Sequence, residues 1–357
     1  MQREPGPFPR FWWDENPGFC GALLRSALAP AGRAYAAVQR SRARAYAAGR
    51  ARVHRPPVPC VSVGNLTVGG SGKTPCVRFV AERLLALGKR PLVLSRGYGA
   101  KVPGSDLDEE GASLVMAVPG ITVDQTYGRR EGRGDWSASF AGPSSVVVLD
   151  DGFQKLVAAR DLDLLLLDAS RPFGNGRCLP AGPMREPPEA AARAHLIVLT
   201  RCDLAGPVRT AALQERVGTL APGVPQLRSR HAPSTLVRSG LPATSLRGRK
   251  VALLSAIAHP AAFAATVRGL GAEIVSHDAR RDHAPLGPKV LLHALRDARA
   301  AGAELLLCTL KDLPKLPAPD AGGPVAFDAL DVLLEFMDDP APLIRALHEL
   351  PYDRGGR

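Results

Sequence analysis

Ser62-Val63-Gly64-Asn65-Leu66-Thr67-Val68-Gly69-Gly70-Ser71-Gly72-Lys73-Thr74-Pro75 follows the short apolar run Val58-Pro59-Cys60-Val61 and precedes a helix-like segment. A strand, a glycine-rich turn ending in Gly-Lys-Thr and a helix form a grip for nucleoside triphosphates. Glycines let backbone N–H groups approach phosphate oxygens. The helix N-terminus adds partial positive charge, Lys73 adds a full one, and Thr74 offers a hydroxyl to Mg²⁺. The strict pattern places Gly where this chain has Thr67. The candidate phosphate contacts are Gly69, Gly70, Ser71, Gly72, Lys73 and Thr74.

Working outward, apolar runs at 60–64, 91–95, 145–149, 162–167 and 196–200 are rich in Val and Leu without alternation. That pattern predicts a parallel sheet covered on both faces. A helix over 75–87, closed by Gly88, links the first two runs. A second α/β set follows, with strands at 250–255, 273–276 and 304–308 and helices at 260–270 and 288–301. His259, before Pro260, reads as a helix cap. Stretches 226–238 and 324–336 flank that set and are expected to pair as a β linker joining two lobes. The fold class is therefore α/β, a P-loop kinase-like parallel sheet lobe plus a smaller α/β lobe, with N-terminal helices. The expected division is a helical segment over 1–55, a nucleotide-binding core over 56–225, the linker and second lobe over 226–345, and a tail over 346–357. Stretches 102–111 and 127–142 read as loops.

The chain has 357 residues, a net charge of +12 and only eight lysines among its 46 basic residues. Residues 1–57 carry ten arginines against Glu4, Asp14 and Glu15. Such a basic zone implies an anionic surface. Helical stretches are expected over 18–30 and 31–49. In the second, Arg33, Arg40 and Arg44 share one face and Tyr35, Val38 and Tyr46 the other, with Phe11-Trp12-Trp13 just before. The arrangement suits a helix lying in a membrane interface. A basic face on a helix packed against its own domain is the competing reading. No nucleic-acid recognition motif accompanies the charge, so nucleic acid is not an expected partner. No obligate protein partner is evident either. No apolar stretch is long enough to span a bilayer. The six cysteines form no C-x-x-C pair and read as reduced thiols.

Ser145 to Leu149 leads into Asp150-Asp151-Gly152-Phe153-Gln154. Strand C-termini face the ligand crevice in such sheets, so these carboxylates arrive beside the phosphates, where one can hold Mg²⁺. Ser95-Arg96-Gly97-Tyr98-Gly99 follows the second strand. Asn175 to Pro187 is a rigid loop that carries Arg185 and Glu186.

Together these motifs resemble the tetraacyldisaccharide 4′-kinase family, which phosphorylates the lipid A precursor. The matching pieces are 62–75, 95–99, 150–154, 173–187, His259-Pro260 with Phe263, Asp282-His283, and 309–312. Thr67 is shared with that family's own loop. The resemblance implies a kinase at the cytoplasmic face of the bacterial inner membrane, attached peripherally. It would use ATP and Mg²⁺ to phosphorylate the 4′-hydroxyl of an acylated glucosamine disaccharide 1-phosphate. The family's catalytic Asp is matched by Asp108, with the preceding Gly replaced by Leu107, and its catalytic His by His283. Lys73 would hold the β/γ-phosphates, and Arg185 would stabilise transferred charge. Thr74, Asp150, Asp151 and Glu186 look like the family's surroundings of Mg²⁺. The region 123–134 lacks the family's Val-Gly-Arg-Asp-Arg run, and Lys155 stands where a His is common. The rival reading is a P-loop regulatory ATPase or GTPase with a protein partner. Its one motif is Thr200-Arg201-Cys202-Asp203, a distant match to the Asn-Lys-x-Asp loop that reads guanine.

Overall fold

The computed structural model describes residues 9–13, 17–97, 101–125, 144–257, 260–317 and 323–352. His259, Tyr98, Gly99 and the expected loop over 127–142 lie outside them. The chain forms two compact units. One comprises residues 1–96, 118–231 and 334–357, and the other 97–117 and 232–333.

The first unit is built on β1 (Cys60–Asn65), β2 (Arg90–Leu94), β3 (Thr122–Asp124), β4 (Ser145–Asp150), β5 (Leu162–Asp168) and β6 (Leu196–Thr200). They lie in the order β3-β2-β4-β1-β5-β6, all parallel. The central strands β1 and β4 bury nearly every residue, as continuous Val/Leu runs require when both faces are covered. Only β3, three residues long, carried no sequence signal. The register sets Val63 beside Asp150 and Asp168 beside Thr200, so the ends of these strands gather the polar groups next to the turn after β1.

Gly64 permits a close approach at that point. A Cβ there would lie 2.6 Å from both the backbone N and the Cβ of Phe153, which is fully buried. The core below joins Leu66, Phe153, Leu165, Leu167, Met184 and Ile197.

Helix α1 runs unbroken from Gly18 to Ala47, through Pro30, where two helices were expected. Proline removes one helical N–H and costs about 3 kcal/mol in a helix interior. Packing overrides that cost here. Gly32 and Ala36 are buried, and a Cβ on Gly32 would meet Ala181 Cβ at 2.9 Å and Cys178 O at 3.0 Å. Tyr35 packs on the core, so this part of the apolar face covers the domain itself. Toward the N-terminus, Phe19, Leu23 and Leu24 are 85%, 62% and 48% exposed.

The strands β7 (Gln226–Leu236) and β11 (Ala326–Phe336) each pass from one unit into the other. In the first unit Met337 N donates to Arg228 O, and Arg228 forms an ion pair with Asp338. In the second, Val237 N donates to Ala329 O.

The second unit adds α3 (Glu109–Ala117), β8 (Lys250–Ser255), β9 (Glu273–Ala279) and β10 (Leu305–Thr309). Parallel strands lie in the order β11-β10-β8-β9. Alternate residues of β8 point to opposite faces. Val251 and Leu253 pack with Phe263, Ala264 and Val267 of the helix at Pro260–Gly269. Ala252 and Leu254 pack with Leu291, Ala294 and Ala298 of the helix at Pro288–Ala300.

Gly64→Ala is expected to lower the thermal unfolding midpoint by several degrees, since overpacking a tight core costs about 1–3 kcal/mol. An unchanged midpoint in calorimetry would mean that the Phe153 backbone can yield.

Candidate active site

The turn after β1 carries the phosphate-loop residues into α2 (Lys73–Ala86). Gly72 sits at φ 82°, in the left-handed region that glycine enters without a Cβ penalty. A Cβ there would meet His231 Nε2 at 2.6 Å, so the loop rests on this imidazole. Burial and the nearby Arg201 push the His231 pKa down to about 4, so the ring is neutral. The loop is also held from β6. Thr200 Oγ1 donates to Ser71 O at 3.0 Å and Arg201 donates to Gly70 O at 2.8 Å. Arg201 also pairs with Asp168.

Lys73 Nζ lies 3.5 Å from Asn65 Oδ1 and 3.5 Å from Asp151 Oδ1. Asp151 Oδ2 accepts from Arg185 at 2.6 Å. Burial alone would raise the Asp151 pKa, but Lys73 and Arg185 outweigh it and hold it at about 2. Arg185 is itself placed by its backbone N, which donates to Leu66 O at 2.7 Å. Lys73 and Asp151 thus come together as expected from the strand ends, and Arg185 joins them from the loop of residues 175–187. Near them Ser71 Oγ and Asn65 Nδ2 are buried without a hydrogen-bond partner. Buried donors without acceptors cost about 1–3 kcal/mol each, and phosphate oxygens would satisfy them.

Glu186 does not join the aspartates. Both its oxygens are taken by Arg193, at 2.8 and 2.9 Å, while that guanidinium lies over the Phe153 ring. Among the described residues no three His, Cys, Asp or Glu side chains converge into a metal cluster. Of the expected set of Thr74, Asp150, Asp151 and Glu186, the last is therefore spent on Arg193. Hydroxyl and carboxylate oxygens such as those of Thr74, Asp150 and Asp151 suit Mg²⁺, which takes one or two carboxylates and completes its shell with phosphates and water.

The second unit holds another charged cluster. Asp108, the expected catalytic carboxylate, lies in this unit. It caps α3, with Oδ1 accepting from Gly111 N at 2.9 Å. The neighbouring Glu109, in the first turn of α3, lies with Oε1 2.8 Å from His283 Nδ1. Lys311 Nζ is 3.2 Å from the same oxygen, and Lys315 Nζ is 2.7 Å from Oε2. Lys315 also meets the fully buried Asp312 at 2.6 Å. Asp312 in turn accepts from Ala256 N and Thr309 Oγ1.

Asp151, Arg201 and His283 are the non-glycine residues at positive φ among those described. Left-handed backbone costs an L-residue about 1–2 kcal/mol, and such strain gathers at functional sites.

The family described as LpxK, tetraacyldisaccharide-1-P 4′-kinase, matches residues 24–350. The chain belongs to this family. A tetraacyldisaccharide 4′-kinase of Anaeromyxobacter sp. (strain K) is 39% identical, over 94% of this chain and 97% of its own length. One from Geobacter sulfurreducens is also 39% identical, covering 93% and 96%. A crystal structure of the "apo" form of LpxK from Aquifex aeolicus in complex with ATP is 26% identical. It has a TM-score of 0.68 and covers 91% of this chain and 98% of its own.

Within this member of the tetraacyldisaccharide-1-P 4′-kinase family, sequence reasoning missed Glu109, Lys315, Arg193 and His231. Helix phase would have found Glu109, because Asp108 before an apolar run beginning at 111 is an N-cap signal. Arg193 could be found as the one cation in the turn at Pro188–Arg193 that follows Glu186. His231 had no signal in its spacing.

Arg193→Met would strand the Glu186 carboxylate and is expected to cost about 3–5 kcal/mol. The double variant with Glu186→Gln should regain most of the lost thermal midpoint. A midpoint in Arg193→Met equal to the parent's would contradict this pairing.

Proposed function

We infer that the chain transfers the γ-phosphate of ATP to the 4′-hydroxyl of a tetraacylated glucosamine disaccharide 1-phosphate. The observation that carries this reading is Lys73, set between Asn65 and Asp151, beside the buried unsatisfied donors of Ser71 and Asn65. That arrangement is built for phosphate oxygens, and family membership supports the acceptor.

Phosphoryl transfer asks for positioning and charge neutralisation more than covalent chemistry. Backbone N–H groups over Gly69–Lys73 and the α2 N-terminus receive the phosphates. Lys73 leaves Asp151 for the β/γ-phosphates, and Arg185 balances charge on the transferred group. Thr74, Asp150 and Asp151 would hold Mg²⁺, which when bound neutralises phosphate charge. The Glu109–His283 pair, rather than Asp108, receives the sugar hydroxyl proton. Nothing in the Thr200–Asp203 turn favours the regulatory reading, since Thr200 and Arg201 are spent on the loop carbonyls.

The enzyme works at an anionic membrane surface, on the cytoplasmic face of the inner membrane. Support comes from the exposed Phe19, Leu23 and Leu24 at one end of α1, with the exposed Arg33, Arg40 and Arg44 further along. Apolar side chains entering the interface beside arginines that reach lipid phosphates would bind without crossing. No helix among the described residues is long and apolar enough to span a bilayer.

With purified acylated disaccharide 1-phosphate, ADP release is expected to depend on the lipid and to fall about 100-fold or more in Lys73→Ala. Release without lipid dependence would sink the kinase reading. Glu109→Ala should lose transfer while keeping ATP binding, whereas Asp108→Asn should chiefly lower thermal stability. The reverse ranking would restore Asp108 as the reacting carboxylate. The triple variant Phe19→Ser, Leu23→Ser, Leu24→Ser should no longer float with anionic liposomes. Unchanged flotation would remove this helix end from the membrane contact.

A further inference from the structure

We propose that Thr200 and Arg201 are positioning residues for the nucleotide. By holding two carbonyls of the phosphate loop from the β6 side, they turn the N–H groups of Ser71 and Gly72 toward the phosphates. This rests on the phosphate-loop reading and names what sets the direction of the loop's peptides.

The need arises from the loop's own composition. Gly70 and Gly72 bound the two peptide units on either side of Ser71. A trans peptide is planar, with its C=O and N–H on opposite edges. Glycine beside such a unit lets it turn over at little cost. Turned one way, the peptide offers an N–H to a phosphate oxygen. Turned the other way, it presents a carbonyl oxygen that repels the anion. The glycines that permit a close approach therefore leave the direction of each peptide unset.

Two hydrogen bonds set it. Thr200 Oγ1 donates to Ser71 O at 3.0 Å, which fixes the Ser71–Gly72 peptide and with it the Gly72 N–H. Arg201 Nη1 donates to Gly70 O at 2.8 Å, which fixes the Gly70–Ser71 peptide and with it the Ser71 N–H. Both N–H groups then point away from the end of β6. Neither has a backbone acceptor among the described residues. His231 closes the side facing β6. A Cβ on Gly72 would meet its Nε2 at 2.6 Å and Thr200 Cγ2 at 3.5 Å, so the backbone has no room to swing that way.

The two donors are themselves held. Thr200 is fully buried at the last position of β6. Arg201 follows at φ 55°, a backbone that an L-residue keeps only where its surroundings impose it. Its Nη1 also donates to Asp168 at the end of β5, whose other oxygen accepts from Ser170 N and Oγ. Both hydrogens of that nitrogen are thus spent, one on the acid and one on the loop. A guanidinium donor makes a charge-assisted bond, stronger than that of a hydroxyl. Arg201 is therefore the larger contributor of the pair.

Calorimetric titration of the full chain with ADP, and with adenosine as a probe that lacks phosphate, tests the assignment. Thr200→Val keeps the side-chain shape and removes the donor, and is expected to weaken ADP binding about 5-fold. Arg201→Met is expected to weaken it about 10-fold or more. Thr200→Ser keeps the hydroxyl and should bind ADP as the parent does. Adenosine affinity should be unchanged in all three. In turnover, KM for ATP should rise in Thr200→Val while KM for the acylated disaccharide stays the same. ADP affinities in Thr200→Val and Arg201→Met equal to the parent's would overturn the proposal. So would an equal loss in Thr200→Ser, or a matching loss for adenosine, which would mark the pair as merely structural. Should Arg201→Met fail to fold, the two Thr200 variants still decide. A parent chain that binds ADP no more tightly than adenosine would defeat the phosphate-loop reading itself, and the proposal with it.

Discussion

A carboxylate removed from water keeps its charge only beside cations, and Asp151 is the instance on which the first unit depends. Lys73 and Arg185 reach it from two different loops. Its position after β4 therefore fixes the phosphate loop and the loop of residues 173–187 to a single point. The same side chain keeps Lys73 Nζ at 3.5 Å, beside the turn that carries it. The pair sits next to buried donors that lack acceptors. The loop is thus stable enough to persist and unsatisfied enough to bind.

The second unit applies the same rule with a different outcome. Around Glu109 two lysines and a histidine gather, against one lysine and one arginine around Asp151. Here the cations are shared further, Lys315 with Asp312 and Lys311 with Glu110.

Much of this was legible in the sequence, for identifiable reasons. Uninterrupted Val/Leu runs specify parallel strands, and the glycine-rich turn with Lys73 and Thr74 specifies a phosphate loop after the first of them. Asp150 and Asp151 could be placed because strand ends in such sheets share one edge. What was not legible also has physical causes. Asp108, Glu109 and Glu110 are three adjacent acids, and only the start of α3 tells which one caps and which one faces His283. Glu186 looked free because Arg193 reaches it through a turn of the Pro188–Arg193 segment. Pro30 looked like a helix end because local propensity says so. The contact of Gly32 with Ala181 and Cys178 is tertiary and outweighs it.

That contact also makes α1 a ruler. Phe19 lies thirteen positions before Gly32, which at 1.5 Å per residue is about 20 Å of helix. The docking point lies on the segment of residues 178–181, just before Arg185. A surface met by the exposed tip is therefore held at a set distance from the guanidinium that grips Asp151. The length of the helix fixes that distance, and inserting or deleting a turn would change it by about 5 Å.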